Sequence, residues 1–433
     1  MIKIGIVGLG HVGLATLKLL NENRNTFRQR LGDTLEVRWL CDRHPEKKIR
    51  GISIQGKPRI TRHYQDLLKD SELDVVVELM GGLEPARSLV LGALRSRKHV
   101  VTANKQLLSH HWEEIFDTAS RHQRRVLMEA SVAGGIPILQ AFQESLSANR
   151  ISRVLGILNG TTNHILTQMS LQRCELLTAL KQAQQLGLAE RNPTLDLQGA
   201  DAAHKLSIIA SLLTGSWISS SRIYQEGIEH ITLEDVLYSE RRLGRHIKLL
   251  ALLELKPKGT VLQVEARVHP VLLPQNHPLA SVQGAYNAIL VQASAAKDLM
   301  FYGLGAGAEP AASAVVGDLF TLSKEILGGL SENPLQTLRS NHTQILPIQD
   351  IVSEFYIRLS VKDRPGVLSQ ITGILGRRGI SIARIDQRPQ KKSRSASIIL
   401  LTHPTQEKRM DQVVREIKKL SVLLSPFKPI RLL

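Results

Sequence analysis

The run Ile2-Lys3-Ile4-Gly5-Ile6-Val7-Gly8-Leu9-Gly10-His11-Val12-Gly13 says more about the architecture than any other part of this 433-residue chain. It opens as an apolar, strand-like stretch and closes on three glycines spaced G-x-G-x-x-G. A helical pattern, Val12–Leu20, follows directly. In such a turn the first glycine permits the sharp bend. The second lets backbone approach a pyrophosphate, and the third lets helix and strand pack closely. The N-terminus of the helix then favours negative charge. Gly8, Gly10, Val12 and Gly13 are therefore expected to contact a dinucleotide.

Strand candidates continue at Leu35–Cys41, Val75–Leu79, His99–Thr102 and Arg125–Glu129, with helical patterns such as Glu84–Arg97 between them. Residues 21–33 are polar and read as an enlarged first connection. Alternating strands and helices predict an α/β, Rossmann-type doubly wound parallel sheet over residues 1–135. The pattern changes after residue 136. Val154–Leu158 reads as a strand. Cys174–Leu186, Asp201–Leu213 and Arg245–Leu253 read as helices. Val261–Val268 and Ala288–Val291 read as strands, and Ala311–Ile326 as a helix. Residues 136–328 thus form an expected α+β substrate and dimerisation domain. Residues 329–350, rich in Ser, Asn, Gln and Pro, read as a linker. Residues 351–433 show a compact ferredoxin-like βαββαβ rhythm.

Length allows two to four domains. Hydrophobic residues make up 42% of the chain, which is ordinary for packed cores. No apolar run reaches about 18 residues, so no membrane span is expected. The first residues lack the features of a signal peptide. The two cysteines, Cys41 and Cys174, exclude a disulfide scaffold and fit a reducing cytoplasm. The formal charge is +17, but the basic residues are scattered and aromatics are only 4%, which argues against a nucleic-acid surface. Anionic small molecules are the expected partners.

Four further segments carry candidate chemistry. The second strand ends at Asp42-Arg43. An acid there suits ribose hydroxyls and NAD, whereas Arg43, with Lys57, suits the extra phosphate of NADP, so the cofactor is NADP or NAD. Glu78-Leu79-Met80-Gly81-Gly82 and Thr102-Ala103-Asn104-Lys105 both end strands. Carboxyl ends of strands line the ligand crevice of open α/β sheets, so Lys105 is expected in it. Asn159-Gly160-Thr161-Thr162-Asn163 suits either a substrate-holding loop or a helix cap. The last block runs from Gly187 through Glu190, Asp196 and Asp201 to Lys205. Asp201 and Lys205 are four apart and share a helix face. The helix beyond them is apolar all round, which marks it as buried, so the charged turn faces an enclosed site.

Together these strings resemble the signature of the homoserine dehydrogenases over essentially residues 1–330. Tyr302-Gly303-Leu304-Gly305-Ala306-Gly307 adds to the likeness. The resemblance implies a reversible NAD(P)-dependent interconversion of L-homoserine and L-aspartate 4-semialdehyde in threonine, methionine and isoleucine biosynthesis. By resemblance, Lys205 is the catalytic acid/base and Lys105 a second active-site lysine that also contacts the cofactor. Which of the two carries the proton stays open. Glu190, Asp201, Asp196 and Thr161 would bind substrate. Gly187, Gly303, Gly305 and Arg43 would join the glycine turn around the cofactor. The resemblance also implies a monovalent cation, sodium, held by Glu129 and the backbone oxygens of Val132, Gly134 and Ile136, and a homo-oligomer. Asn192 and Ala311 depart from the residues usual in the family, and neither removes an expected catalytic group. Phe355–Val361 followed by Asp363-Arg364-Pro365-Gly366 resembles an ACT domain. That implies feedback regulation, with threonine the expected effector.

Overall fold

The computed structural model describes residues 1–50, 54, 56–329, 343–390 and 394–433. Most of the expected linker, residues 330–342, lies outside the described residues.

The N-terminal part is a six-stranded parallel sheet. Its spatial order is Arg59–Thr61, Leu35–Cys41, Ile2–Val7, Val75–Glu78, His99–Thr102 and Val126–Leu127. Val75, Val76 and Val77 are buried on both faces, as a sheet covered by helices on each side requires. The strand order reverses at Ile2–Val7, which has Leu35–Cys41 on one side and Val75–Glu78 on the other. Ligand crevices open at such reversals, outside the carboxyl ends of the strands.

Some expectations are corrected. The polar connection at 21–33 contains a helix, Arg24–Leu31, that buries Phe27 against Phe320, with ring centroids 6.0 Å apart. Phe27 and Leu31 at i,i+4 and Gly32 just past the end were its signals. The fifth expected strand shrinks to Val126–Leu127, because Glu129 opens a 3-10 turn. The Arg245–Leu253 run is not helical. It lies in a strand, Arg245–Lys258, paired residue for residue with Val261–Pro274 and, on its other edge, with Arg153–Gly156. Its leucines, alanine and lysine favour helix by propensity. Pairing on both edges and burial on both faces outweigh that small preference. The three-residue strand Arg59–Thr61 was too short to register as a period.

The helix Ala308–Leu327 follows the second domain in sequence but returns to the first. Its Val315, Val316, Leu319 and Leu322 join the core beneath the first parallel strand. The rest of the chain shares one mixed sheet. Its path runs Lys297–Leu304, Tyr286–Ala293, Ile151–Ile157, Arg245–Lys258, Val261–Pro274, Ile430–Leu432, Val352–Lys362, Ser395–Thr402 and Ile382–Gln390. The last four, with the helices Val367–Arg377 and Glu407–Ile417, make up the expected βαββαβ unit. Its final strand joins the two domains: Val271 and Leu272 pair with Arg431 and Leu432 in parallel, while Glu354–Tyr356 pair with 430–432 antiparallel. Residues 343–345, expected in the linker, form a short strand beside Leu262–Val264.

Candidate active site

The glycine turn has the geometry its spacing predicts. Gly8 has φ +100, and a Cβ there would sit 2.6 Å from the Leu79 carbonyl. A Cβ on Gly13 would overlap the Gly8 carbonyl oxygen. Gly10, by contrast, faces open space, and it starts the helix His11–Glu22 without a capping side chain. Free amides at that helix start and room in front of Gly10 fit a pyrophosphate. Val12 lies in the first helical turn and its carbonyl accepts from Thr16 Oγ1 at 2.8 Å. Asp42 does not stand free. Its carboxylate accepts from Leu9 N at 2.8 Å, His44 N at 3.1 Å and Lys48 Nζ at 2.8 Å, which pins the glycine turn to the end of the second strand. Arg43 and Lys57 are exposed.

The next two strand ends are tied together by a residue whose part the sequence did not reveal. Glu78 is fully buried; it accepts from Met80 N at 2.8 Å and from Thr102 Oγ1 at 2.6 Å. Thr102 Oγ1 in turn accepts from Asn104 N at 3.0 Å, and Asn104 Nδ2 donates to Gly82 O at 2.7 Å. The Asn104 side chain then caps the helix Lys105–Arg121. Lys105 thus starts a helix at the crevice, beside the turn that touches Gly8.

From the other side comes the buried helix Ala200–Thr214. Its first turn presents Asp201, which is paired through Oδ1 with Lys105 and through Oδ2 with Lys205 at 2.7 Å. Lys205 Nζ also donates to Leu158 O at 2.6 Å. Asn159 fills both roles open to it. Its Oδ1 caps the helix Gly160–Gln172 through Thr162 N at 2.8 Å. Its Nδ2 donates to Asp196 Oδ1 at 2.7 Å and Asp201 Oδ2 at 2.9 Å. Lys105, Asp196, Asp201 and Lys205, far apart in sequence, therefore share one cluster. Thr161 sits at its rim and donates to Leu188 O at 2.8 Å. Glu190 is exposed, but its charge is felt at Lys105. Another neighbour went unnoticed in the sequence: His204, whose Nδ1 lies 2.8 Å from Ser109 Oγ. Its place one residue before Lys205 was the only hint.

The two amines differ. Burial, joined by repulsion from Lys105, lowers the Lys205 pKa below the ordinary lysine value despite Asp201. Burial also opposes the Lys105 ammonium, but Asp201 outweighs it and raises Lys105. Asp201 itself is disfavoured by burial, yet the two lysines hold it ionised well below the usual carboxylate range. Asp196 is raised, chiefly by burial. An acid flanked by one amine shifted up and one shifted down is equipped for general acid–base chemistry.

Gly187 has φ +70 and follows the helix Leu176–Gln185. Gly303 packs on Ile136, and a Cβ on Gly305 would overlap the Asn287 side chain. Gly134 lies directly against Gly305, so the strand-end glycines and the Glu129–Ile136 segment are neighbours. The Glu129 carboxylate is buried and accepts from Leu139 N at 2.9 Å and Gln140 N at 2.7 Å.

Comparison with known proteins converges on one family. Residues 137–320 match the family model for homoserine dehydrogenase, 8–129 that for the homoserine dehydrogenase NAD-binding domain, and 355–422 that for the ACT domain. The homoserine dehydrogenase of Neisseria gonorrhoeae is 38% identical over 100% of this chain and 98% of that protein. That of Pseudomonas aeruginosa is 40% identical over 99% and 98%. The crystal structure of a homoserine dehydrogenase from Thiobacillus denitrificans superposes with a TM-score of 0.90, at 40% identity and covering 100% of this chain and 98% of that one.

Proposed function

The chain belongs to the homoserine dehydrogenase family, an NAD(P)-dependent oxidoreductase with a C-terminal ACT domain, and on that premise we propose how its side chains divide the work. The reaction interconverts L-homoserine and L-aspartate 4-semialdehyde. When bound, the nicotinamide supplies the hydride acceptor or donor. Lys205 takes the hydroxyl proton at Nζ during oxidation and returns it during reduction. What supports this over Lys105 is the contrast in their surroundings: Lys205 is buried and its pKa is lowered by burial and by Lys105, which eases loss of its proton, whereas Asp201 raises Lys105. Lys105, held charged by Asp201, steadies the developing alkoxide. Asp201 and Glu190 receive the substrate's hydroxyl and ammonium, with Asp196 beside them and Thr161 at the rim.

NADP is the better fit of the two cofactors. The Asp42 carboxylate accepts from Leu9 N, His44 N and Lys48 Nζ, which ties it to the glycine turn, while Arg43, directly after it, is exposed. A phosphate recruits guanidinium and ammonium groups. For the monovalent cation, Glu129 and the carbonyls of Val132, Gly134 and Ile136 are hard oxygen donors, the chemistry sodium requires. Positive φ at Ala133 and Gly134 turns the peptide planes of that segment sharply. A homo-oligomer is supported by the edge strand Lys297–Leu304, where Met300, Tyr302 and Leu304 are exposed beside Tyr286. No described helix is long and apolar enough to cross a membrane. The ACT domain is the proposed seat of a threonine response.

The observation carrying this reading is the single carboxylate, Asp201, gripped by two unlike lysines at the crevice. Initial rates with L-homoserine and each cofactor, with and without threonine, test it. Homoserine-dependent NADP reduction that exceeds NAD reduction is the expected result. Full activity in a Lys205→Ala variant would remove that lysine from the mechanism.

A further inference from the structure

Arg431 lies on the strand that joins the two domains, is buried, and bonds to both sides. Towards the ACT domain its Nε and Nη2 form a fork on Glu407, at 2.6 and 2.8 Å. Glu407 Oε1 also accepts from Ser353 Oγ at 3.1 Å. Towards the catalytic domain Arg431 Nη1 donates to Glu226 Oε2 at 2.9 Å and Nη2 to Tyr224 Oη at 3.1 Å. Glu226 Oε1 faces His230 Nε2 at 3.2 Å and Lys428 Nζ at 3.8 Å.

The segment after Glu226 touches the substrate turn. A Cβ on Gly227 would overlap the Leu197 carbonyl oxygen, and Ile228 N donates to that same oxygen at 2.8 Å. A Cβ on Gly199 would lie 3.4 Å from Glu226 O. Leu197 and Gly199 sit between Asp196 and Asp201. The backbone of 226–228 is therefore packed, with no spare room, on the short turn that aims both acids. Close-packed backbone transmits displacement instead of absorbing it.

We propose that Arg431 is a positioning residue for the reaction: by clamping Glu226 it holds the 226–228 segment against the Leu197–Gly199 turn, and so sets the affinity for homoserine from the ACT side. The inference rests on the assignment of Asp196 and Asp201 to substrate. It makes the buried charge cluster at the seam a functional joint that couples the regulatory domain to one substrate and not to the cofactor.

Three variants test it. Arg431→Lys keeps the charge but loses the fork that spans two carboxylates. Glu407→Gln keeps the shape and alters the clamp from the ACT side alone, so it carries the test if the first variant does not fold. Asp196→Asn probes the substrate assignment directly. For each, KM is measured for homoserine and for the cofactor, together with the thermal midpoint. The expected result is a rise of about tenfold in homoserine KM for Arg431→Lys and about threefold for Glu407→Gln, with cofactor KM within about twofold. A purely structural role would lower the midpoint and the active fraction but leave both KM values alone. Folded clamp variants with unchanged homoserine KM, alongside an Asp196→Asn variant that shifts it, overturn the proposal. If Asp196→Asn also leaves homoserine KM unchanged, the substrate assignment itself fails.

Discussion

Asp201 organises the proposed site because its two oxygens are answered by two amines in different surroundings. Lys205 is buried among backbone and carboxylate, whereas Lys105 is about 42% exposed at the crevice. Lys205→Ala leaves Asp201 still paired with Lys105 and Asn159, so folding survives at a cost of about 1–3 kcal/mol. Turnover, in contrast, is expected to fall by about two to four orders of magnitude. The pH profile gives a second check. With Lys205 as the proposed base, homoserine oxidation needs it neutral, so the rate should rise with pH and level off below the ordinary lysine value of about 10.5. Lys105→Met removes a repelling charge and frees Asp201 for Lys205. Both effects favour the Lys205 ammonium, so the rising limb is expected to move to higher pH. A limb that stays in place or moves down would assign the titration to another group.

The glycine turn shows how one element serves packing and binding with different residues. Gly13 has no room for a side chain, because the Gly8 carbonyl occupies that space. Gly10 has room, and that room is where a pyrophosphate would approach. Gly13→Ala is thus expected to lower the thermal midpoint and weaken cofactor binding together. Gly10→Ala is expected to fold like the parent yet raise cofactor KM by about tenfold or more. Thermal melts and cofactor titrations separate the two. At the neighbouring strand end, Arg43→Ala is expected to raise KM for NADP by about tenfold with little change for NAD, since a phosphate contact serves only the former. Equal effects on the two cofactors would end the NADP assignment. The elements most readable in sequence were those whose period and punctuation agreed: three of the parallel strands keep their expected bounds. Arg245–Lys258 misled because its composition favours helix while its neighbours demand a strand.

Across the domains, the two parts are joined by a shared sheet and a buried charge cluster. His269 lies inside that cluster. Burial, with Arg431 and Arg267 nearby, holds its pKa well below the ordinary value. The unfolded chain therefore binds a proton that the folded chain does not, once pH falls below about 6.5. Stability from this site is complete above that value and is lost as pH drops towards the folded pKa. Glu129 and Asp318, raised by burial, act in the opposite sense, but equally in any variant at 269. His269→Gln is accordingly expected to show a shallower fall in thermal midpoint from pH 7.5 to 5.5 than the parent chain. An identical slope would mean that His269 does not titrate on unfolding.

Local spacing was enough to identify the dinucleotide turn, the parallel sheet, the βαββαβ unit and the shared helix face of Asp201 and Lys205, because each depends on near neighbours in the chain; Glu190 and Asp196 were singled out by resemblance. The meeting of Lys105 with Asp201, the second role of Asn159, the clasp at Glu78 and the fusion of both domains through Arg431 are contacts between distant segments. No period or motif encodes the distance between two elements; the packing of buried surfaces does. Only the folded chain reveals that the turn carrying Asp196 and Asp201 rests on a segment whose Glu226 is bonded to Arg431 from the final strand of the ACT domain.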